Sequence, residues 1–381
     1  MRVLVHGAGL MGRAIVDDLL GDGATVTVND VDEDALSACR EAVSGEIETV
    51  TVDVTALDDV SAFISDEEFD VVINALPHEL SIPALNGAIE AGVDAIDLAF
   101  EEDQLDLDEA ATDAGVTVIP GGGVAPGLSN MLTGDGIDRF DDPTDVSIKV
   151  GGIPADPAPP LEYRVVFHLD SVWNAYQRPV RVIEDGELTR VEALSGVEPI
   201  EFDGVGELEC FLTDGLGTLP HTFDDVPNME EKTIRYPDHA LKARTLRECG
   251  LLDETPIDVD GASVSPRAVL TEVLAPKLSL DDEHDLTVMR VEVEGTLDGD
   301  CDRYEATLVD RYDEDTDTTS MARTTGYTAT AVARLLVDGK IDEEGIVPPE
   351  LLGTDRELFD RVLTELADRD VVVDRTIPTR D

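Results

Sequence analysis

Two patterns of hydrophobic and polar residues divide the chain near residue 120. In the first part, short β-rich runs alternate with stretches whose apolar residues recur at helical spacing. The predicted strands are residues 3–6, 25–29, 49–52, 71–74, 95–98 and 116–119. The predicted helices between them are residues 10–20, 33–43, 84–91 and 105–114. Such alternation predicts an α/β fold with a doubly wound parallel sheet and right-handed crossovers.

Beyond residue 120 the pattern becomes strand-rich. The change begins at Gly121-Gly122-Gly123, followed by Pro126-Gly127 and an Asp/Pro turn predicted at residues 141–143. Alternating apolar and polar residues predict strands at 146–150, 163–168, 180–184, 286–294 and 303–312. These strands predict a second α+β domain with a mixed or antiparallel sheet. A helix is predicted at residues 321–336, with Gly339 as its stop.

A length of 381 residues is typical of two domains. We place the first, a Rossmann domain, at residues 1–122, and expect residues 320–355 to pack back onto it. Residues 123–319 form the predicted second domain, which carries the substrate site. Residues 356–381 are predicted to form a C-terminal helix and strand.

A glycine motif, Gly7-Ala8-Gly9-Leu10-Met11-Gly12, follows the first predicted strand and opens the first predicted helix. Its first glycine permits a tight turn, the second lets the backbone approach a pyrophosphate, and the third lets helix and strand pack closely. The helix N-terminus then offers free N–H groups and a positive dipole end to the phosphates. The motif in this context predicts a dinucleotide site.

Asp30 closes the second predicted strand, near the spacing at which a carboxylate binds the adenosine ribose. Because a carboxylate also repels a 2′-phosphate, it favours NAD over NADP; the alternative is that Asp30 merely caps the following helix. Two further strand ends should line the cofactor crevice. Asp53 is expected near the adenine, with a turn or cap role as the alternative, and Asn74-Ala75-Leu76-Pro77 near the pyrophosphate and the nicotinamide ribose.

Charge and composition exclude several classes of partner. With 85 acidic against 27 basic residues, the formal net charge is −58, and five of the basic residues are lysines. Such a surface repels nucleic acids and anionic membranes. At about 1 M salt the Debye length falls to about 3 Å, so the repulsion is largely screened, and we infer adaptation to a saline cytoplasm. Signal-peptide and membrane-span patterns are lacking, and the four separated cysteines predict reduced thiols without a metal site.

Read in order, several motifs resemble the saccharopine dehydrogenase-like family, and within it the lysine 6-dehydrogenase branch. The resemblance covers nearly the whole chain, through residues 74–77, Asp97, and residues 123–127, 150–154, 159–163, 198–200, 232–236 and 321–327. It implies a Rossmann domain, a catalytic domain with a mixed sheet and a homo-oligomer, taken here as a dimer. It also implies oxidation of an amine carbon of an amino acid by a nicotinamide cofactor. Pro126, Gly127 and Thr233 fall in the matching substrate loops.

The chemistry requires a receptor for the substrate carboxylate and a base for its ammonium. Arg235, in the segment that matches the substrate loop of the family, is the predicted receptor, because a guanidinium binds a carboxylate through paired hydrogen bonds; the alternative is an ordinary ion pair. Hydride leaves the carbon only after the nitrogen has lost a proton. Asp97, His78, Glu79 and His239 are the candidate bases. Tyr236 is a further candidate catalytic residue. Together with Glu162 and Tyr163 it could also shape the pocket or bind the distal ammonium; the alternative is that the three are core or sheet residues.

The resulting expectation is oxidation of the 6-amino carbon of L-lysine by NAD. Two alternatives stay open. A saccharopine dehydrogenase would act on a secondary amine that carries a second dicarboxylate, and it would need more than one carboxylate receptor. A non-catalytic NAD-binding regulator would retain the fold without turnover.

Overall fold

The computed structural model describes residues 1–166, 169–280 and 284–379. These residues divide into two units by their contacts. One contains residues 1–140, 217–223 and 322–373, and the other contains residues 141–216, 224–321 and 374–381. By contacts the division falls at residues 140–141, and the predicted domain boundary at 122–123 stays a prediction.

Strands and helices are numbered in chain order. The strands are β1 Arg2–His6, β2 Thr25–Asn29, β3 Glu48–Val50, β4 Val71–Asn74, β5 Ala95–Asp97, β6 Thr117–Ile119, β7 Asp142–Pro154, β8 Val180–Glu184, β9 Glu187–Val191, β10 Glu198–Phe202, β11 Gly206–Leu212, β12 Asn228–Arg235, β13 Ile257–Val259, β14 Ala262–Val264, β15 Asp285–Leu297, β16 Asp300–Arg311, β17 Gly345–Ile346 and β18 Val373–Thr376. The α-helices are α1 Leu10–Gly21, α2 Glu33–Ala42, α3 Leu57–Glu67, α4 Ser81–Ala91, α5 Asp108–Ala114, α6 Leu128–Ile137, α7 Leu169–Gln177, α8 Leu219–Thr222, α9 His239–Glu248, α10 Pro266–Leu278, α11 Ser320–Val337, α12 Pro349–Thr354 and α13 Arg356–Ala367. Short 3₁₀ helices span His78–Leu80 and Glu102–Leu107.

The first unit contains a seven-stranded parallel sheet in the order β17-β6-β5-β4-β1-β2-β3. Apart from β17, this is the doubly wound order, so the predicted fold class is confirmed. The central strands β1 and β4 are buried almost throughout, as expected for a parallel sheet covered on both faces. The register pairs His6 with Asn29 and Asn74, and Asn74 with Asp97. These four side chains therefore lie in one row at the carboxyl edge of the sheet.

The second unit contains a mixed sheet whose main path is β10-β11-β12-β7-β15-β16-β18, with β8 and β9 attached to β12. β12 and β7 run parallel, whereas β7 and β15 run antiparallel, which confirms the predicted mixed sheet. One apolar cluster contains Trp173, Tyr176 and Phe211 beside α9. A second apolar cluster is formed by residues from β7, β12 and β15, among them Ile153, Ile234 and Val288.

Two local predictions are wrong. Residues 163–166 do not form the predicted strand but a turn and loop with an isolated bridge from Val165 to Ser279; residues 167 and 168 lie outside the described residues. The turn predicted at residues 141–143 is instead the start of β7, because Pro143 lies opposite Gly295 at a register shift where a missing N–H is tolerated. None of the helices in the described part of the chain has the length and apolar character needed to cross a bilayer.

Candidate functional site

The glycine motif forms the turn between β1 and α1. Gly7 has a φ of +104°, and a Cβ there would lie 2.4 Å from the Ala75 carbonyl oxygen. A Cβ on Gly12 would lie 1.9 Å from the Gly7 oxygen, so helix and turn are in backbone contact. Gly9, by contrast, faces open space, with nothing within 4 Å of its Cβ position. The turn is thus closed at Gly7 and Gly12 and open where a ligand would approach.

The N-terminus of α1 is suited to an anion. Gly9 is its N-cap residue and supplies no capping side chain, and no acidic residue occupies the first turn. The first-turn residues Leu10 and Met11 are exposed and partly buried, respectively. In a chain with 85 acidic residues, this positive dipole end without a carboxylate fits the pyrophosphate of a dinucleotide.

Asp30 follows β2 and holds the glycine turn in place. One carboxylate oxygen accepts a hydrogen bond from the Ala8 N–H at 2.8 Å, and the other accepts one from the Asp32 N–H at 2.9 Å. The cap of α2 is Asp32, whose side chain accepts hydrogen bonds from Asp34 and Ala35. The alternative in which Asp30 caps this helix is therefore wrong.

The other two predicted strand ends differ from each other. β3 ends at Val50, so Asp53 does not end the strand; it is exposed and accepts hydrogen bonds from the N–H and hydroxyl of Thr55 at 2.9 and 2.7 Å. These bonds hold the pKa of Asp53 below its ordinary value. The turn at residues 74–77 does border the glycine turn, because the Ala75 N–H donates to the His6 carbonyl at 2.8 Å. Asn74 is fully buried. Of the residues that follow it in the turn, Leu76 is partly buried and Pro77 is exposed.

Asp97 is buried at the end of β5, with 1% of its surface exposed. It accepts hydrogen bonds from the Ala99 N–H at 2.8 Å and the Asn74 amide at 3.4 Å. Burial raises its pKa to about 7 in spite of these bonds. This geometry holds the turn after β5, and it favours a structural role over the predicted role as a base.

The two neighbouring candidate bases lie in the first 3₁₀ helix. His78 and Glu79 are one-third and two-thirds exposed, with 3.5 Å between His78 Nδ1 and Glu79 Oε2. They contact each other, and the described structure joins neither to Asp97 through a hydrogen bond or ion pair.

The loop at residues 123–127 is built by close backbone contact. Gly127 has a φ of +131°, and a Cβ there would lie 1.9 Å from the Gly123 oxygen, while Pro126 packs on Gly121. The Gly127 N–H donates to the side chain of Asn130 at 3.3 Å. Pro126 and Gly127 therefore shape the turn into α6, and their predicted contact with substrate stays a prediction.

A buried carboxyl that the sequence analysis missed supports this loop. Glu350 on α12 is fully buried and accepts hydrogen bonds from Asn130 at 3.2 Å, Thr218 at 2.7 Å and Thr222 at 2.6 Å. Burial raises the pKa of Glu350. Its partners lie 220, 132 and 128 residues away, so no local pattern could have indicated this network.

In the second unit, Arg235 ends β12 as a buried guanidinium, with 4% of the residue exposed. It donates to the Ile234 carbonyl at 2.8 Å, and its guanidinium carbon lies 4.5 Å from the centre of the Tyr163 ring. Among the residues that the structure describes, no carboxylate lies within ion-pair distance of it. The alternative of an ordinary ion pair is therefore not supported for Arg235. Other buried arginines differ in this respect, since Arg181 and Arg267 each pair with an acidic residue.

Tyr176 and His239 form a directed chain of hydrogen bonds beside Arg235. His239 Nδ1 lies 2.7 Å from the Leu161 carbonyl, which can only accept, so the proton is on Nδ1. His239 Nε2 therefore accepts from the Tyr176 hydroxyl at 2.8 Å. The Tyr176 oxygen in turn can accept from the Arg235 guanidinium. These hydrogen bonds fix the tautomer of the His239 imidazole and direct the Tyr176 hydroxyl oxygen, as an acceptor, toward Arg235.

His239 cannot act as a base in this arrangement. It is fully buried, and burial, followed by the charge of Arg235, lowers its pKa to about 3. Its acceptor nitrogen is already occupied by Tyr176. The geometry favours a positioning role for His239 over the predicted role in proton transfer.

The remaining predicted substrate residues divide between the two faces of β12. Thr233 lies on the Arg235 face, and its hydroxyl lies 2.7 Å from that of Thr213. Tyr236 points to the opposite side, where its hydroxyl donates to the Pro154 and Ala155 carbonyls at 3.0 and 2.9 Å. This bonding and its place in an apolar cluster favour a structural role for Tyr236 rather than a catalytic one.

Glu162 and Tyr163 lie in the turn before the undescribed residues. Glu162, with a φ of +53°, forms an ion pair with Lys242 at 2.7 Å. Tyr163 is 1% exposed, lies against Arg235 and His239, and has a pKa raised by burial to about 12. Tyr163 therefore belongs to the Arg235 cluster, whereas Glu162 is engaged with a lysine. No group of three or more His, Cys, Asp or Glu residues in the described ranges is arranged to hold a metal ion.

Two family models together cover most of the chain. One, described as the saccharopine dehydrogenase NADP binding domain, matches residues 3–119, and the other, described as the saccharopine dehydrogenase C-terminal domain, matches residues 123–372. The chain belongs to the saccharopine dehydrogenase family. Members of this family are oxidoreductases that act on CH–NH donors, which favours an enzyme over the non-catalytic alternative.

Individual relatives of this saccharopine dehydrogenase-family chain are distant. The L-glutamate-forming, NADP-dependent saccharopine dehydrogenase of Saccharomyces cerevisiae is 22% identical over 96% of this chain and 97% of its own length. The corresponding enzyme of Pyricularia oryzae is 25% identical over 50% of this chain, and the match spans 43% of that enzyme. A solved structure of the apo yeast enzyme matches with a TM-score of 0.81 at 20% identity, covering 99% of this chain and all of the yeast chain. This likeness shows a shared fold.

The family assignment and the glycine turn agree on a nicotinamide dinucleotide as the cofactor. The described residues fit such a group in three ways: the turn is open at Gly9, the helix N-terminus has no capping side chain, and the Asp30 carboxylate holds the turn through the Ala8 N–H.

Proposed function

We propose that the protein oxidises the amine-bearing C6 of L-lysine and uses NAD as the hydride acceptor. The observation that carries this proposal is Arg235, a buried guanidinium with no carboxylate at ion-pair distance among the described residues. Leaving a buried charge unpaired is costly, and a substrate carboxylate would remove that cost through paired hydrogen bonds. Tyr163 and Tyr176 restrict the guanidinium to one position, which suits a single carboxylate.

The chemistry balances as a dehydrogenation followed by hydrolysis. The ammonium of lysine loses a proton, a hydride leaves C6, and water replaces the resulting imine nitrogen, which gives the semialdehyde, ammonium, NADH and one further proton. The dinucleotide, when bound, supplies the hydride acceptor. The protein binds the carboxylate at Arg235 and holds the phosphates at Gly9 and the N-terminus of α1.

The residues after β2 support NAD rather than NADP. Asp30 places a carboxylate where the ribose is expected, and the sequence continues with Asp32, Glu33 and Asp34. A 2′-phosphate would meet this group of negative charges, whereas a 2′-hydroxyl can donate to one of them. We therefore propose NAD, although the matching family model is described as NADP binding.

The cofactor proposal is tested by titrating NADH and NADPH into the protein in concentrated KCl. We expect NADH to bind at least about tenfold more tightly than NADPH. Asp30→Ser should reduce this difference in affinity, because it removes a carboxylate that repels the 2′-phosphate of NADPH. Asp53→Ser is the matched control, because Asp53 bonds within its own turn. NADPH binding as tight as NADH binding to the unaltered protein would contradict the proposal.

The activity is tested by following NADH formation from L-lysine in concentrated KCl. Arg235→Gln is expected to lower kcat/KM by about 100-fold, since a charge-assisted pair is lost. Arg290→Gln is the control; Arg290 also lies over an aromatic ring, 4.8 Å from the centre of Phe202, but on the opposite face of the sheet from Arg235. No turnover of lysine with either dinucleotide would refute the proposal.

A saccharopine dehydrogenase activity is the second candidate, because the matched family models and relatives carry that name. Saccharopine brings additional carboxylates, which require additional cationic receptors. On the Arg235 face of β12, the other buried ionisable residue in the described structure is Glu231, which is not a cationic receptor for a second carboxylate. Turnover of saccharopine without turnover of lysine would favour this second candidate.

We also propose a homo-oligomer, a dimer, as the family resemblance implies. Exposed β-branched residues on the β13–β14 hairpin and on α10 support it, because apolar surface of this kind is typical of interfaces. These residues are Ile257, Val259, Val269 and Val273. Light scattering in concentrated KCl measures the mass, and a monomer of 41.0 kDa would refute the proposal.

A further inference from the structure

Glu231 and Arg235 lie on the same face of β12. Side chains alternate along a strand, so residues 231, 233 and 235 share one face and residues 230 and 232 the other. On the other face, Lys232 pairs with Glu198 and Glu230, each at 3.0 Å. The cation on that face is thus already paired.

Glu231 is a buried acid, and in the part of the chain that the structure describes it has no cationic partner. It is 4% exposed and accepts a hydrogen bond from the Thr213 hydroxyl at 2.7 Å. Gly215 makes room for it, since a Cβ at that position would lie 2.6 Å from its carboxyl group. Within the described ranges, neither Arg235 nor any other cation lies within ion-pair distance of Glu231.

The surroundings of Glu231 keep its carboxyl group protonated at neutral pH. Burial is the main cause of a pKa raised to about 8, and the charge of Asp214 adds to it. The Thr213 hydrogen bond and the charges of Arg178 and Arg235 act in the opposite direction. Asp214 itself pairs with Arg181 at 2.9 Å and Arg178 at 3.6 Å, so its charge is largely balanced.

One strand face thus carries a buried cation and a buried acid that are near each other but not paired. Their α-carbons are four residues apart, which corresponds to about 13 Å along a strand. An extended lysine spans roughly 7 Å from its carboxylate to its side-chain nitrogen. A hydrogen bond of about 2.8 Å at each end of the ligand brings the total near the spacing of the two positions. Thr233 lies midway between them along the strand.

We propose that Glu231 receives the distal amine of a diamino monocarboxylic acid whose carboxylate is bound by Arg235, an inference that rests on the proposed function. The site selects against a substrate with a second carboxylate at its distal end. A monocarboxylate without a distal amine leaves Glu231 buried and unpaired.

The proposal predicts proton release on binding. An ammonium that approaches Glu231 stabilises the carboxylate form, so the carboxyl proton leaves for the solvent as the ion pair forms. At pH 7, lysine binding should release up to one proton. Norleucine, which has the same carbon chain without the distal amine, should release none through Glu231.

Calorimetry of the full-length protein in concentrated KCl tests the proposal, with L-lysine, norleucine and 2-aminoadipate as probes in two buffers of different ionisation enthalpy. We expect lysine to bind about tenfold or more tightly than norleucine, and 2-aminoadipate to bind most weakly. In Glu231→Gln the preference for lysine over norleucine should fall to about one, and proton release should vanish. Glu230→Gln, altered on the opposite face, should keep both.

The possible outcomes separate this inference from the proposed function. Equal binding of lysine and norleucine to the unaltered protein, or a preference that survives Glu231→Gln, would overturn the role of Glu231 while leaving Arg235 as the carboxylate receptor. Binding of all three probes that is unchanged in Arg235→Gln would overturn the proposed function itself. If Glu231→Gln does not fold, the proton count for the unaltered protein decides: one proton for lysine and none for norleucine supports the proposal, and equal counts contradict it.

Discussion

A single guanidinium in the second unit is held by a chain of neutral groups. His239 keeps its proton on Nδ1 through the Leu161 carbonyl, and so it receives the hydroxyl of Tyr176. Because the pKa of His239 is lowered to about 3, this arrangement does not change between pH 5 and pH 9. Arg235 is therefore restrained by groups that stay uncharged, and its full charge remains for a ligand.

Tyr176→Phe tests this restraint. Removing the hydroxyl leaves His239 Nε2 without a donor and takes an acceptor from Arg235, so KM for the amino acid should rise about tenfold. kcat and NADH affinity should change much less, because the dinucleotide-binding residues are untouched. Tyr304→Phe removes a hydroxyl from another buried tyrosine and should leave KM unchanged. A fall in kcat at constant KM would argue against a positioning role.

Asp97 gives the pH dependence of stability a definite sign. Its folded pKa of about 7 lies above the ordinary value of 3.8, so between these values the unfolded chain has lost a proton that the folded protein keeps. Its contribution is fully present below pH 3.8 and is lost as the pH rises through 7. Asp97→Asn removes this dependence. The free energy of unfolding of Asp97→Asn, minus that of the unaltered protein, should therefore increase by up to about 1.4 kcal/mol per pH unit between pH 5 and pH 7.

Chemical denaturation at several pH values measures this difference. A constant difference across the range would contradict the raised pKa. The same variant also separates the two roles of Asp97, because a structural residue should leave the pH profile of kcat/KM unchanged and a base should not.

At the residue scale, local spacing predicted the glycine turn of the first unit and little of the Arg235 cluster of the second. Gly7, Gly9 and Gly12 occupy the positions that their motif requires. Arg235 was found through a family resemblance. Tyr176 and Glu231 could not be found, because their importance depends on partners across the fold; Tyr176 bonds to a histidine 63 residues away.

Helices α6 and α12 are in contact through glycines. A Cβ on Gly134 would lie 2.1 Å from the Glu350 oxygen, and a Cβ on Gly353 would lie 1.9 Å from the Met131 oxygen. α6 is buried on every side, so it has no polar face and no amphipathic pattern, which explains why it was not predicted. α3 was also not predicted, but its apolar residues 57, 60, 63 and 64 follow helical spacing, and this signal could have found it.

Gly353→Ala should destabilise the first unit. In an exposed helix, alanine is favoured over glycine by about 1 kcal/mol. Here the added methyl group meets a backbone carbonyl, so the helices must separate, and we expect a net loss of about 1–3 kcal/mol. Gly21→Ala, at the end of α1 with nothing within 4 Å of the Cβ position, is the control and should be neutral or slightly stabilising. Thermal denaturation compares the two, and equal effects would contradict the close contact.

At the scale of the whole molecule, the net charge of −58 dominates stability. The chain can neutralise part of it locally, as where Arg334 and Arg369 pair with Asp18 and Asp22. With 85 acidic and 27 basic residues, however, most carboxylates have no basic residue to pair with. Self-repulsion of this size favours expanded states unless ions screen it.

Salt should therefore stabilise the fold by screening. Between 0.1 and 1 M KCl the Debye length falls from about 10 to about 3 Å, so Tm should rise steeply over this range and then more slowly. An uncharged osmolyte such as sucrose, at the same osmolarity, also stabilises proteins by exclusion from their surface but does not screen charge, so its effect should be smaller. If KCl and sucrose raised Tm equally, or if Tm were constant in KCl, repulsion between carboxylates would not limit stability. The inferred adaptation to salt would then lose its physical basis, because the acidic surface would carry no cost for salt to remove.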